Sequence, residues 1–370
     1  MSGRFVSLAL CAVLGAGGPP ANRPLVYVAD QAAGKITVID PATDSVVATL
    51  DLPALGFSAH PKPHHVAVEP DGSFWYVSLI GDNVVVKFDR DNRVAAKAQM
   101  ETPGLLALDP TSDRLFATRS MSAVNAPPRI AVIRRTDMSV EEEEVLAPRP
   151  HAVAVGSDGH YAYVASISTN QLAVYDAQRE RVEVTDVPAD SALAIVQFAV
   201  SPDGKTLVAT AQLTGKLLVF DLANPEKPRL TRSVSVGSWP WYVAFTPDGR
   251  EVWVTNQRSN DVTVVDATGW KAIATVSGPG FAQPDGLVIT PDGRYAFVAN
   301  HNGPMPGMAM APAMSPPPPL PPPPLPPLPG AGPAGPGRVV MIDVKRRTPI
   351  RVTETAPDAG GMGIGGGGTR

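Results

Sequence analysis

Cysteine is almost absent: 370 residues contain one, Cys11. A single thiol excludes a disulfide framework and any multi-cysteine zinc or iron–sulfur site. Charge is sparse as well, with 18% of residues ionic against roughly 25% in ordinary soluble domains. The 31 basic and 35 acidic side chains leave a net charge of −4. That balance lacks the basic footprint of a nucleic-acid binder, so no nucleic-acid partner is expected. Long apolar runs are missing too. The longest candidate, Phe5 to Leu14, has ten residues, half of the ~20 that a membrane-spanning helix needs. What abounds is proline (41) and glycine (33). Such punctuation excludes a fold of long helices and predicts many turns. The 44% hydrophobic share suffices for a sizeable core.

Two segments stand apart. Residues 1–21 carry Arg4, the apolar run and then small residues with Pro19 and Pro20, the pattern of a secretory signal. An exported protein, periplasmic or extracellular, is therefore expected, with residues 22–370 as the mature body. The second segment, 304–337, holds 16 of the 41 prolines. Proline lacks a backbone donor and fixes φ, so polyproline II, at ~3.1 Å per residue, is the expected form. Its first part bears Met305, Met308, Met310 and Met314, thioethers of the kind that suit Cu(I). Its proline tract offers a ligand for an aromatic groove on a partner protein, or a spacer.

The rest of the chain repeats. Asp71, Asp113, Asp158, Asp203, Asp248 and Asp292 mark Pro-Asp-Gly turns or a degenerate copy, in steps of 42, 45, 45, 45 and 44 residues. An apolar run ending in aspartate follows about 18 residues later, as in Ile39-Asp40, Phe88-Asp89, Tyr175-Asp176, Phe220-Asp221, Val265-Asp266 and Ile342-Asp343. Ile133-Arg134 is the variant copy. Each unit reads as four strands, the period of a propeller blade. Seven third-strand markers predict an all-β, seven-bladed propeller of four-stranded blades. Blade 1 begins near Leu25 without a first strand, and the C-terminal Gly361-Met362-Gly363-Ile364 is expected to complete it and close the ring. The 304–337 segment falls inside blade 7 as an insertion.

Tyr27-Val28-Ala29-Asp30, Tyr76-Val77-Ser78-Leu79, Trp253-Val254-Thr255-Asn256 and Phe297-Val298-Ala299-Asn300 resemble the YVTN-type repeat of bacterial seven-bladed propellers. That group includes binding proteins, lactonase-like enzymes and the propeller of nitrous-oxide reductase. The resemblance implies that the loop into each innermost strand and the loop after each second strand share one face around the axis. By that placement His64, His65, Arg119, His151, Trp241, Asp285, Asn300 and His301 form a common rim. The favoured expectation is a binding scaffold that takes a protein or small ligand there. A second is a copper-binding redox or copper-handling protein, with copper or another divalent metal on His60, His64, His65, His151 and His301, since neutral imidazoles suit such metals. The resemblance departs at the blades that offer Gly, Val, Trp or Asp in place of further histidines. A third is a lactonase-like hydrolase, for which Asp30, Asp285 and Arg119 supply charge but no nucleophile elbow or paired-carboxylate spacing appears. The Pro-Asp-Gly aspartates read as turn formers.

Overall fold

A computed structural model describes residues 23–121, 123, 127–302 and 335–365. The signal-like segment 1–21 and nearly all of the methionine- and proline-rich segment lie outside the described residues.

The repeated turns act as the sequence predicts. Asp71, Asp158, Asp203, Asp248 and Asp292 each accept the backbone N–H two residues on. The following Gly72, Gly159, Gly204, Gly249 and Gly293 all sit at φ between 68° and 71°, where a Cβ is costly. Blade 3 departs from the pattern: Asp109, not Asp113, accepts the turn amides of Thr111 and Ser112. The aspartates that end the third strands cap the next turn. Asp40, Asp176, Asp221, Asp266 and Asp343 each accept a backbone N–H two or three residues later.

Between these turns the chain forms seven antiparallel four-stranded sheets. The innermost strands are Ala359–Gly365 (blade 1), Pro63–Val68 (blade 2), Pro103–Leu108 (blade 3), Pro150–Val155 (blade 4), Ile195–Val200 (blade 5), Pro240–Phe245 (blade 6) and Pro284–Ile289 (blade 7). Each touches the innermost strand of the next blade, and the last touches the first. Blade 1 is composite, as expected: Ala359–Gly365 pairs with Leu25–Asp30, with Tyr27 opposite Gly363. The core lies between blades. Tyr27 and Phe88 stack on Trp75 at 4.7 and 4.1 Å, joining blades 1 and 2. The outermost strands are the exposed ones. Val140–Glu144 edges blade 3 and carries its charges on that edge, which discourages pairing with another chain.

One irregularity recurs in every blade and shapes a single face. Each innermost strand begins with a register shift that places one extra residue in it. The residue before each strand is left-handed although none is glycine. These are Lys62, Thr102, Arg149, Ala194, Trp239, Gln283 and Asp358, with φ from 42° to 69°. This conformation costs about 1–2 kcal/mol per residue. The compensation is also repeated: each carbonyl accepts an N–H from just beyond the same blade's second strand, at 2.8–3.2 Å. The bulges re-aim side chains at the axis.

Candidate functional site at the axial mouth

The bulged positions are His64 and His65 in blade 2, His151 in blade 4, Trp241 and Tyr242 in blade 6, and Asp285 in blade 7. Hydroxyl side chains of the second strands pin them. Ser78 accepts the His65 N–H and Thr255 accepts the Tyr242 N–H. Thr118, Thr210 and Thr255 donate across to the next blade, to the carbonyls of His151, Trp241 and Asp285, at 2.6–2.8 Å.

These side chains meet. The rings of His65 and Tyr242 stack at 5.8 Å although their blades are not neighbours, so both reach the axis. His65 Nδ1 accepts the Leu106 N–H. His151 Nδ1 faces the Val196 carbonyl at 2.9 Å. A carbonyl only accepts, so this nitrogen carries the proton and Nε2 is left with its lone pair. Burial holds both rings neutral. It lowers the pKa of His65 to about 3, assisted by His64 and His151. It lowers that of His151 to about 3 as well, assisted by His64. His64 shifts the same way, burial outweighing the opposing pull of Asp285.

His301 is the opposite case. It lies between two carboxylates, with Nδ1 2.5 Å from Asp358 and Nε2 2.7 Å from Asp285. Burial works against its charge, but Asp285 and Asp358 prevail and raise its pKa to about 10. His301 in turn holds Asp358 below the usual carboxylate range, against its burial. Gln257 also donates to Asp285. Nearby, burial raises Asp30 to about 7 although Thr37 and Thr355 bond to it.

Across the ring, Arg119 donates to the Glu101 carbonyl and to Glu142. Arg149 donates to the Met121 carbonyl. The two arginines and His151 line a crevice between blades 3 and 4.

The face carries an unusual number of unmet bonds. Among the described residues, Asp30 Oδ1, His64 Nε2, Arg119 Nε, His151 Nε2, Tyr242 Oη and Asn256 Oδ1 are shielded from solvent and have no partner. All six belong to this end of the molecule. The other such atoms, on Asp44, Arg135 and Arg347, belong to side chains already in ion pairs at seams between blades. A buried group without a partner costs about 1–3 kcal/mol, a cost that a bound water or a polar ligand relieves.

The rim expected from the sequence is thus gathered in large part. His64, His65, His151, Asp285 and His301 converge, and Arg119 lies at the edge. Trp241 is half-buried and packs against the blade 6–7 core. Asn300 is buried and bonds to the Val298 carbonyl and the Ala282 N–H, closing its own strand end. His60 is exposed on the approach loop. Tyr242 and Asp358 were missing from the sequence reading. The first adjoins Trp241 in the bulge, and the second precedes a strand with no turn marker.

The profile of the family described as "Lactonase, 7-bladed beta-propeller" matches residues 184–269. The chain is a seven-bladed β-propeller, and its residues 184–269 are similar to that family. Among solved structures this propeller is similar to the hydrazine synthase of Kuenenia stuttgartiensis. The TM-score is 0.63 and the identity 20%, over 82% of this chain and 89% of that one. It is also similar to a functionally unknown protein from Desulfotomaculum acetoxidans DSM 771, with TM-score 0.65 and 12% identity over 90% and 99% of the two chains. These likenesses show the fold alone. A curated relative is Antigen Lp49 of Leptospira interrogans serogroup Icterohaemorrhagiae serovar copenhageni, 24% identical over 263 residues, or 62% of this chain. The propeller chain spans about half the length of that relative (53%).

Proposed function

We propose that this propeller is a binding protein that receives a small polar ligand, or the polar end of a protein partner, at the axial mouth. The observation that carries the reading is the concentration of shielded, unpartnered atoms there: His64 Nε2, His151 Nε2, Tyr242 Oη and Arg119 Nε. The histidines of the mouth are poorly tuned for hydrolysis, and buried Asp30, raised to about 7, is the group there that falls in a general base's range. A general base works best with a pKa near the working pH. His65 and His151, at about 3, are weak bases. His301, at about 10 and bonded on both nitrogens, is already engaged. The reading includes export, on the strength of residues 1–21, and N-terminal sequencing of the mature protein checks that part.

Copper handling is the second reading, and one observation favours it. His151 is held through Nδ1 on a backbone carbonyl with Nε2 free, the arrangement that outer contacts give a metal-bound histidine. His64 supplies a second free nitrogen. Among the described residues, no three His, Cys, Asp or Glu side chains are grouped so as to hold a metal ion, which puts this reading behind the first.

The test is a thermal-shift and calorimetric panel of amines, carboxylates, amino acids, Cu(I), Cu(II) and Zn(II), with a His64→Ala/His151→Ala variant beside the native protein. Stabilisation by a panel member that the variant loses supports the binding reading. Stoichiometric copper lost in the variant moves the assignment to the second. Turnover of five- and six-membered lactones, abolished in the variant, overturns both in favour of hydrolysis.

A further inference from the structure

Charged side chains gather on two sides of the mouth. On the side of blades 7 and 1 lie Asp285 and Asp358, with His301 between them. Two carboxylates and one imidazolium leave that side with one net negative charge, and Asp30 lies behind it. On the side of blades 3 and 4 lie Arg119 and Arg149, with Glu142 paired to Arg119. Two guanidiniums and one carboxylate leave one net positive charge. In a ring of seven, the blade 7/1 seam faces blade 4, the blade that carries Arg149. Between the poles stand His64, His65, His151 and Tyr242, uncharged at neutral pH, while Lys62 precedes the innermost strand of blade 2 and Arg258 lies over Trp239 in blade 6.

Each pole has one buried and one solvent-reaching charged side chain: Arg119 and Asp285 are only 3% and 7% exposed. Asp358 and His301 retain 29% and 22% side-chain exposure, and Arg149 is half-buried. His65 and Tyr242 beneath them are buried. The unpartnered atoms match this division. Arg119 Nε is a donor at the positive pole. His151 Nε2 is an acceptor beside it, its tautomer set by the Val196 carbonyl. Tyr242 Oη and His64 Nε2 lie on the path between. His301 and Glu142 neutralise each pole only in part, so a ligand charged at both ends would complement both residual charges at once. The low-dielectric floor strengthens both fields relative to water.

We propose that the ligand of the mouth is a zwitterion: a small molecule with an ammonium group at the Asp285/Asp358 side, a carboxylate at the Arg119/Arg149 side, and a short linker over the His65–Tyr242 stack. This rests on the binding reading above and specifies its ligand class. Arg149 is a specificity-determining residue in this arrangement, because its guanidinium makes one bond to the Met121 carbonyl and faces the crevice that it shares with Arg119 and His151.

The experiment uses the full chain and a graded series of unbranched ω-amino acids from glycine to 6-aminohexanoate. Each is paired with the amine and the carboxylate of equal length, and all are titrated by calorimetry at low ionic strength. At least one zwitterion is expected to bind at least tenfold more tightly than either single-ended analogue. Arg149→Ala should reduce that preference by about tenfold while leaving the amine's affinity unchanged, and Asp358→Asn should do the converse. Should Asp358→Asn fail to fold, the Arg149→Ala variant and the ligand series on the native protein decide alone. Amines, carboxylates or metals that bind as tightly as every zwitterion, and do so through His64 and His151, overturn the zwitterion while the mouth remains a binding site. No binding by any member overturns the zwitterion, and the binding reading is then decided by the wider panel above.

Discussion

At the residue scale, the mouth holds side chains that are poor for stability. Tyr242 is 6% exposed, and its hydroxyl has no partner. Removing a buried hydroxyl that makes no bond relieves a desolvation cost of about 1 kcal/mol or more. Tyr242→Phe should therefore leave the unliganded protein as stable as the native form, or more so, by urea unfolding. It should weaken ligand binding about tenfold, the loss of one hydrogen bond in a buried site. Equal losses in both measurements would make Tyr242 an ordinary core residue. His301 leads to a pH prediction. Its pKa rises from 6.5 to about 10 on folding, so the folded state binds the proton more tightly. The stabilisation is complete below about pH 6.5 and is lost as pH climbs through 10. The stability gap between native protein and His301→Gln should be constant from pH 5 to 6.5 and narrow steadily towards pH 10. His65 and His151 work in the other direction. Their folded values near 3 mean that stability is full above 6.5 and falls as pH drops from there. Unfolding midpoints measured from pH 4 to 10 should thus show a loss on each side of neutrality, with His301→Gln flattening the alkaline side only.

At the scale of the strand and its neighbours, the informative feature is the bulge that opens each innermost strand. In blades 2, 3 and 6 a hydroxyl on the second strand accepts a backbone N–H of the bulge, and in blades 3, 5 and 6 a second-strand hydroxyl bonds to the next blade. Thr118 does both: it accepts the Leu105 N–H at 3.1 Å and donates to the His151 carbonyl at 2.6 Å. Thr118→Val keeps the shape and β-branching but strands one donor and one acceptor. The expected cost is about 2–3 kcal/mol in chemical unfolding. Ligand affinity should fall with it, because His151 loses its register. Thr43, whose hydroxyl bonds only to exposed Ser45, is the control and should tolerate valine within about 0.5 kcal/mol. This scale also explains what could be read in advance. The Asp-Gly turns and the strand-ending aspartates are local devices, written in adjacent residues, so blade number and boundaries followed from spacing. The rim histidines followed from their place in the repeat. Tyr242 did not, because an extra residue in a strand changes which of two neighbours faces the axis, and that is a matter of register. Asp358 did not, because blade 1 is assembled from both ends of the chain and no Pro-Asp-Gly turn comes after its innermost strand. The pairing of His301 with Asp285 and Asp358 spans 16 and 57 residues and exists only once the ring is shut.

At the scale of the whole molecule, closure and the mouth are one structure. The closing strand Ala359–Gly365 is rich in glycine because it is wedged between blades 7 and 2. A Cβ on Gly361 would lie 2.0 Å from the His64 carbonyl oxygen, and one on Gly286 would lie 2.3 Å from that of Gly360. Asp358, at the head of this strand, receives the Gln31 N–H on its carbonyl and bonds to His301 through its side chain. On the outer rim, Arg351 of blade 7 pairs with Asp44 of blade 1, so the seam is fastened at both radii. Opening the seam therefore releases His64, Asp358 and His301 together. Gly361→Ala should force the closing strand away from blade 2, since the obstacle is backbone and cannot rotate aside. A cost of at least 1–3 kcal/mol is expected for such overpacking, seen as a lower unfolding midpoint, with the Leu25–Asp30 edge becoming accessible to hydrogen exchange. Ligand affinity should drop even at temperatures where the ring is still folded, because the clash displaces the His64 backbone. Gly335→Ala is the matched control: a Cβ there meets nothing nearer than 3.7 Å, and both stability and binding should be unchanged. If Gly361→Ala lowers stability while its ligand affinity stays native, the seam and the mouth are independent, and the site must be rebuilt without His64.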